Sequence, residues 1–132
     1  MSRSEIQFFV TGKPAPQGSK KSVGRGRFIE ASKYLPDWRA AVVSAARQSY
    51  QGEPLDVPVR VRIIVFLDQP KKPKYILAPA TPPDVDKIAR GILDSLKIGG
   101  IYRDDALVVS LEIDKMWSVD GMQGAFVSVI TI

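Results

Sequence analysis

The stretch DVDKIARGILDSLKIGGIYRDDALVVSLEIDKMW, residues 84–117, changes its hydrophobic period once, and that change decides the fold. In its first half Ile88, Ile92 and Leu96, backed by Ala89 and Leu93, recur every three to four residues, while Lys87, Arg90, Asp94 and Lys97 fall on the opposite side. That spacing predicts a helix with one buried stripe. Gly99-Gly100 ends it. From Leu107 to Trp117 the period becomes two, which predicts a strand. Pro82-Pro83 blocks helix upstream, so Asp84 falls at the N-cap, and both Asp84 and Asp86 lie near the positive end of the helix dipole.

Outward from this unit, residues 6–10 form a short apolar run that stops at Thr11-Gly12 and predicts a first strand. Pro36-Asp37-Trp38 opens a second helix reaching about Tyr50, with Trp38, Val42, Ala45 and Ser49 on one side. In residues 57–67 alternate positions Val57, Val59, Val61, Ile63, Val65 and Leu67 make one apolar face of a long strand. Asp120-Gly121 supplies a turn and residues 125–132 are β-rich, which predicts a C-terminal hairpin. The order β-α-β-α-β-β describes a single domain over residues 1–132, α/β in the two-layer α+β sense. A mixed four-stranded sheet covered on one face by two helices buries both helical stripes. The other face must be polar or paired, and a homodimer would cover it.

The chain has 132 residues, enough to bury roughly two thirds of its unfolded surface in one core. It has no cysteine and no histidine, which excludes thiolate catalysis, a Ser-His-Asp triad, Cys/His zinc sites and imidazole acid–base chemistry. Carboxylates, lysine, arginine, tyrosine and hydroxyls remain. No apolar run has the length of a secretory signal or of the ~18 residues of a spanning helix, so an intracellular, cytoplasmic location is expected.

The formal net charge is +5, unevenly placed. Residues 12–27, GKPAPQGSKKSVGRGR, carry five basic residues (Lys13, Lys20, Lys21, Arg25, Arg27), no acid, four glycines and two prolines, which predicts a flexible basic loop. It is either a solvated connector or an arm that follows a phosphate backbone. Residues 68–83, with five prolines and with Lys71, Lys72 and Lys74, predict another irregular basic loop that leads to Asp84. Phe28, Tyr34 or Trp38 could stack on an opened base, although Trp38 has the helical spacing of a core residue with Val42.

Asp84, Asp86, Asp104 and Asp105 gather within twenty-two residues of this basic chain. Carboxylates brought together repel one another unless a cation joins them, and Mg²⁺ takes oxygen ligands. Each acid also has an ordinary reading: Asp84 as an N-cap, Asp86 as a first-turn acid paired with Arg90, and Asp104-Asp105 as a loop entering a strand. Together they suggest a helix start and a strand start at one sheet edge, joining Asp84, Asp86 and one of Asp104 or Asp105. Adjacent residues of an extended chain point in opposite directions, so only one of that last pair should ligate the same ion.

Residues 82–115, PPDVDKIARGILDSLKIGGIYRDDALVVSLEIDK, resemble the RusA family of Holliday junction endonucleases. The family's pattern runs D-x-D-N, a helix with a D-(A/S)-L step, a G-(I/V)-(Y/W) turn, then D-D and a strand. The twenty-one-residue step from Asp84 to Asp105 fits it without a gap, and residues 9–20 resemble the family's N-terminal segment in loose register. The resemblance implies a homodimeric nuclease, dependent on Mg²⁺ or on Mn²⁺ in its place, that binds four-way DNA junctions in recombination or repair and nicks two strands symmetrically. It also suits a phage or prophage source. It implies Asp84, Asp86 and Asp105 as the essential carboxylates and metal ligands, with Asp104 as their neighbour. Two positions depart from the pattern: Lys87 replaces the usual asparagine, and Arg90 the usual lysine. Either cation can inherit the catalytic role, although arginine cannot act as a proton donor with a tunable pKa. Asp94 reads as a structural charge partner. Two further readings stay open: a non-catalytic binder of branched or single-stranded DNA, and a metal-dependent nucleotide phosphohydrolase, which would have no use for the basic arm. A receiver domain lacks the parallel βα repeats it needs.

Overall fold

A computed structural model describes residues 4–18, 20–22, 24, 28–30 and 32–132. Strand β1 (Glu5–Thr11) is followed by the short strands β2 (Lys20–Ser22) and β3 (Phe28–Glu30), helix α1 (Leu35–Ser49) and strand β4 (Val59–Leu67). Helix α2 (Val85–Ile98), a 3₁₀ turn (Asp105–Leu107), β5 (Val108–Trp117) and β6 (Gly124–Thr131) complete it. The main sheet is mixed and four-stranded, in the order β1-β6-β4-β5. Strands β4 and β5 are parallel, whereas β6 is antiparallel to both of its neighbours.

Both helices lie on one face, as the two-layer reading requires. From the sheet, Ile6, Phe8, Val10, Val59, Val61, Ile63, Val65, Ala125, Val127 and Val129 meet Leu35, Trp38, Val42 and Ala46 of α1 and Ile88, Ile92 and Leu96 of α2 in one core. Trp38 is fully buried there, so it cannot stack on a DNA base. Arg39 and Asp94, 2.7 Å apart, tie the two helices together and give Asp94 the structural role expected of it, with a partner on the other helix. The uncovered sheet face is polar at one end, where Arg62 meets Glu112 at 3.1 Å, and aromatic at the other, where the rings of Phe9 and Phe66 lie 6.1 Å apart.

Two expectations are corrected. The C-terminal hairpin does not form, because β6 passes β5 and inserts between β1 and β4. Strand β6 is apolar on both faces and gains most from a central position. Strand β5, with Glu112, Asp114 and Lys115, carries the charge that suits a sheet edge. The basic run of residues 12–27 is also not one irregular loop. Its middle pairs as β2 with β3, the register joining Lys20 to Glu30 and Ser22 to Phe28, and Gly24 in between takes a positive φ of 94°. The partner strand Phe28-Ile29-Glu30 supplies strand-forming residues from beyond the glycine-rich run. Arg25 and Arg27 lie outside the described residues.

Candidate active site and nucleic-acid interface

The β4-α2-β5 crossover places every candidate group. Strand β4 runs to one edge of the sheet, residues 68–83 turn the chain, and α2 carries it back before β5 starts beside the beginning of β4. Two sets of contacts fix this direction. Lys115, near the end of β5, donates to Thr81 O and Pro83 O at the start of α2. At the other end, Leu55 and Tyr102 form an isolated parallel bridge.

Asp84 occupies the N-cap position with extended backbone (φ −72°, ψ 142°) but makes no side-chain capping hydrogen bond. Its exposed carboxylate is 3.8 Å from Lys87 Nζ. Asp86 is exposed in the first turn, and among the described residues it forms no ion pair, with Arg90 or any other cation. The two carboxylates are thus presented outward from a helix N-terminus.

Asp104 and Asp105 lie at the opposite end of α2. Asp104 Oδ1 accepts from Ala106 N at 2.9 Å and caps the 3₁₀ turn. That hydrogen bond, followed by one from Asp105, holds the Asp104 carboxyl below its ordinary range. The hydrogen bond shared with Asp104 raises Asp105, with desolvation and the Asp104 charge adding to it. The chain turns into the 3₁₀ helix at Asp105, so the extended backbone assumed for this pair ends at Asp104. Burial, and then the charge on Asp105, raise the nearby Tyr102 hydroxyl, which donates to Leu93 O.

Asp84 and Asp86 do not meet Asp104 and Asp105 within one chain. Fourteen residues of α2 separate the pairs by about 20 Å along the helix axis. The helix starts where β4 and β5 end, whereas β5 starts at the other edge, so the shared edge expected of helix start and strand start is not present. Among the described residues no group of three or more carboxylates is placed to hold a metal ion.

The edge at Asp84 does gather the basic loops. Gly12 N bonds to Gln123 O where β1 ends, so the arm leaves the sheet there. Gln17 N donates to Lys87 O at 2.9 Å, and a β-carbon added at Gly18 would lie 2.6 Å from Arg90 Nη1. The arm is thus docked on the first turns of α2, and the missing side chain of Gly18 leaves room for the guanidinium. One groove is bordered by Lys13, Pro14, Asp68, Pro70, Thr81 and Pro83, joining both loops beside Asp84. Lys71, Lys72 and Lys74 are exposed. Lys13 Nζ sits 3.8 Å above the ring of exposed Tyr34, whose hydroxyl pKa is lowered by the charges of Lys13 and Lys33. Of Lys20 and Lys21 the structure places the backbone in β2.

Residues 11–129 match the family described as Endodeoxyribonuclease RusA. The chain belongs to the RusA endodeoxyribonuclease family. It is 33% identical to the uncharacterized protein YqaN of Bacillus subtilis over 129 residues, covering 86% of this chain and 88% of that protein. It is 19% identical to the crossover junction endodeoxyribonuclease RusA of Aquifex aeolicus over 111 residues, covering 84% and 80%. Among the described residues no helix is long and apolar enough to cross a membrane.

One residue escaped the sequence reading of this RusA-family site. Lys115 lies on the helix-facing side of β5, opposite buried Val65, and its Nζ donates to Thr81 O at 2.7 Å and Pro83 O at 2.9 Å. A lysine at an inward position of an alternating strand was the available signal. Lys115→Met should lower unfolding stability by about 1–3 kcal/mol, because charge-assisted hydrogen bonds are lost and two carbonyls are left without them. It should also slow nicking, because the turn that carries Asp84 loses its anchor. Urea unfolding beside a nicking assay checks this; an undiminished rate per folded molecule would reduce Lys115 to a stabilising contact.

Proposed function

We propose that this protein is a Mg²⁺-dependent endonuclease, with Mn²⁺ as a substitute, that acts as a homodimer and resolves four-way DNA junctions by paired symmetric nicks. The observation that carries the reading is the meeting of two basic loops beside the outward-facing Asp84 and Asp86 in a RusA-family chain. A groove with lysines on its flanks neutralises phosphates and orients a backbone without reading its bases, which is what a shape-selective enzyme needs.

The separation of the two acidic pairs favours two copies. In a two-fold dimer, whatever edge of one chain touches the opposite edge of the other is repeated by symmetry. Asp84 and Asp86 of one copy can then face Asp104 and Asp105 of its partner, twice, and two equal sites give two equal nicks. A divalent ion held by such carboxylates supplies charge neutralisation at the phosphate and a water of lowered pKa. Lys87, beside Asp84, balances charge on the reacting phosphate. Arg90, against Gly18, keeps the arm docked.

The test is a labelled synthetic four-way junction incubated with Mg²⁺ beside a linear duplex of the same sequence. Paired nicks on the junction alone, abolished by chelator, are expected. Tight binding with no cleavage under Mg²⁺ or Mn²⁺ would sink the catalytic reading and leave a branched-DNA binder.

A further inference from the structure

Between β4 and α2 the loop exposes two adjacent aliphatic side chains at its tip. Ile76 is 74% and Leu77 97% exposed, and Tyr75 beside them is 43% exposed. The tip is held in place: Trp117 Nε1 donates to Tyr75 O at 3.0 Å, and Gln69 Nε2 to Ile76 O at 3.3 Å. Lys71, Lys72 and Lys74 precede it, with Lys74 Nζ 5.6 Å from the Tyr75 ring centre. The same loop ends at Asp84. Seventeen residues without helix or strand, anchored rather than loose, are unusual in a compact domain and generally functional.

We propose that Ile76 and Leu77 form a wedge that enters the branch point of a DNA junction and stacks against the bases exposed there, while Lys71, Lys72 and Lys74 hold the flanking phosphates. The proposal rests on the junction reading above and deepens it by naming what distinguishes a branch from a duplex. Leucine and isoleucine are among the side chains that proteins insert between base steps, and insertion costs less where stacking is already interrupted. In continuous duplex the wedge meets closed stacks; at a branch it meets open ones. Lysines on the flank suit a polyanion. Two aliphatic side chains also offer far less than the roughly 800 Å² per partner that a stable protein interface buries.

The test uses full-length protein without divalent ion, so that binding is separated from cleavage. Its substrates are a four-way junction with 2-aminopurine at the branch and a linear duplex carrying the same probe. The wild-type chain should bind the junction more tightly and raise the branch fluorescence as the probe unstacks. The double variant Ile76→Ser/Leu77→Ser, altered at exposed positions, should keep its duplex affinity, bind the junction about tenfold more weakly and leave the probe dark. If the variant keeps both junction preference and fluorescence rise, the wedge is wrong while the junction reading stands. If wild-type protein shows no preference for the junction, that reading falls and the wedge with it. A change in sedimentation in place of a change in fluorescence would assign the tip to self-association and overturn the proposal.

Discussion

Asp86→Asn should reduce junction nicking by about 10³-fold or more while junction affinity measured in chelator stays within about twofold of wild type. The size of the effect follows from the chemistry. On the proposed reading a carboxylate-held divalent ion would drive the cleavage, and asparagine retains the shape of aspartate without its charge. The small effect on everything else follows from the surroundings. Asp86 is exposed and forms no ion pair among the described residues, so its contribution to the fold is the interaction of a first-turn acid with the helix dipole, about 0.3–1 kcal/mol. Loss of nicking with an unchanged thermal midpoint would therefore locate the defect in the chemistry. An Asp86→Asn protein that still nicks at a tenth of the wild-type rate would remove Asp86 from the site and direct attention to Asp84 alone.

Helix α2 was legible because one stripe, Ile88, Ile92 and Leu96, follows a single period and meets a single core; the same holds for β1 and β4. Strand order was not legible. An alternating strand followed by a turn and another strand reads as a hairpin, yet the placement of β6 between β1 and β4 is decided by which strand is apolar on both faces. Val57 illustrates the limit at element ends: it continues the alternation of β4 but stands exposed, outside the strand. The site divides in the same way. That Asp84 stands at the head of a helix followed from Pro82-Pro83, whereas its distance from Asp105 followed from the sense of β5. Once β4 and β5 are parallel, the intervening helix must begin at one edge and deliver the chain to the other. Lys115 could be recognised only once Thr81 O and Pro83 O were beside it, a contact made across more than thirty residues of sequence.

Mixing two inactive variants should restore cleavage if two copies complete each site. Asp86→Asn and Asp105→Asn homodimers are each expected to be inactive, because every site in them lacks one carboxylate. In a mixed dimer one site carries both substitutions and the other carries neither. Random assortment of the two chains after co-expression then yields about a quarter of the wild-type number of intact sites, given the two-fold symmetry. Because each mixed dimer holds one intact site, its products should be single, unpaired nicks. A site contained within one chain predicts no recovery at any mixing ratio. Folding does not confound the comparison. The Asp105 carboxyl is raised chiefly by its hydrogen bond with Asp104, so Asp105 favours the folded state when protonated and loses that contribution as pH rises through the carboxylate range. The same hydrogen bond lowers Asp104, so the two effects oppose one another, and asparagine keeps the shape of the side chain while removing one of two adjacent charges. Asp105→Asn should thus be no less stable than wild type at neutral pH. Its inactivity alone, and its rescue by Asp86→Asn, would then report on how the two acidic ends of α2 are joined across a dimer.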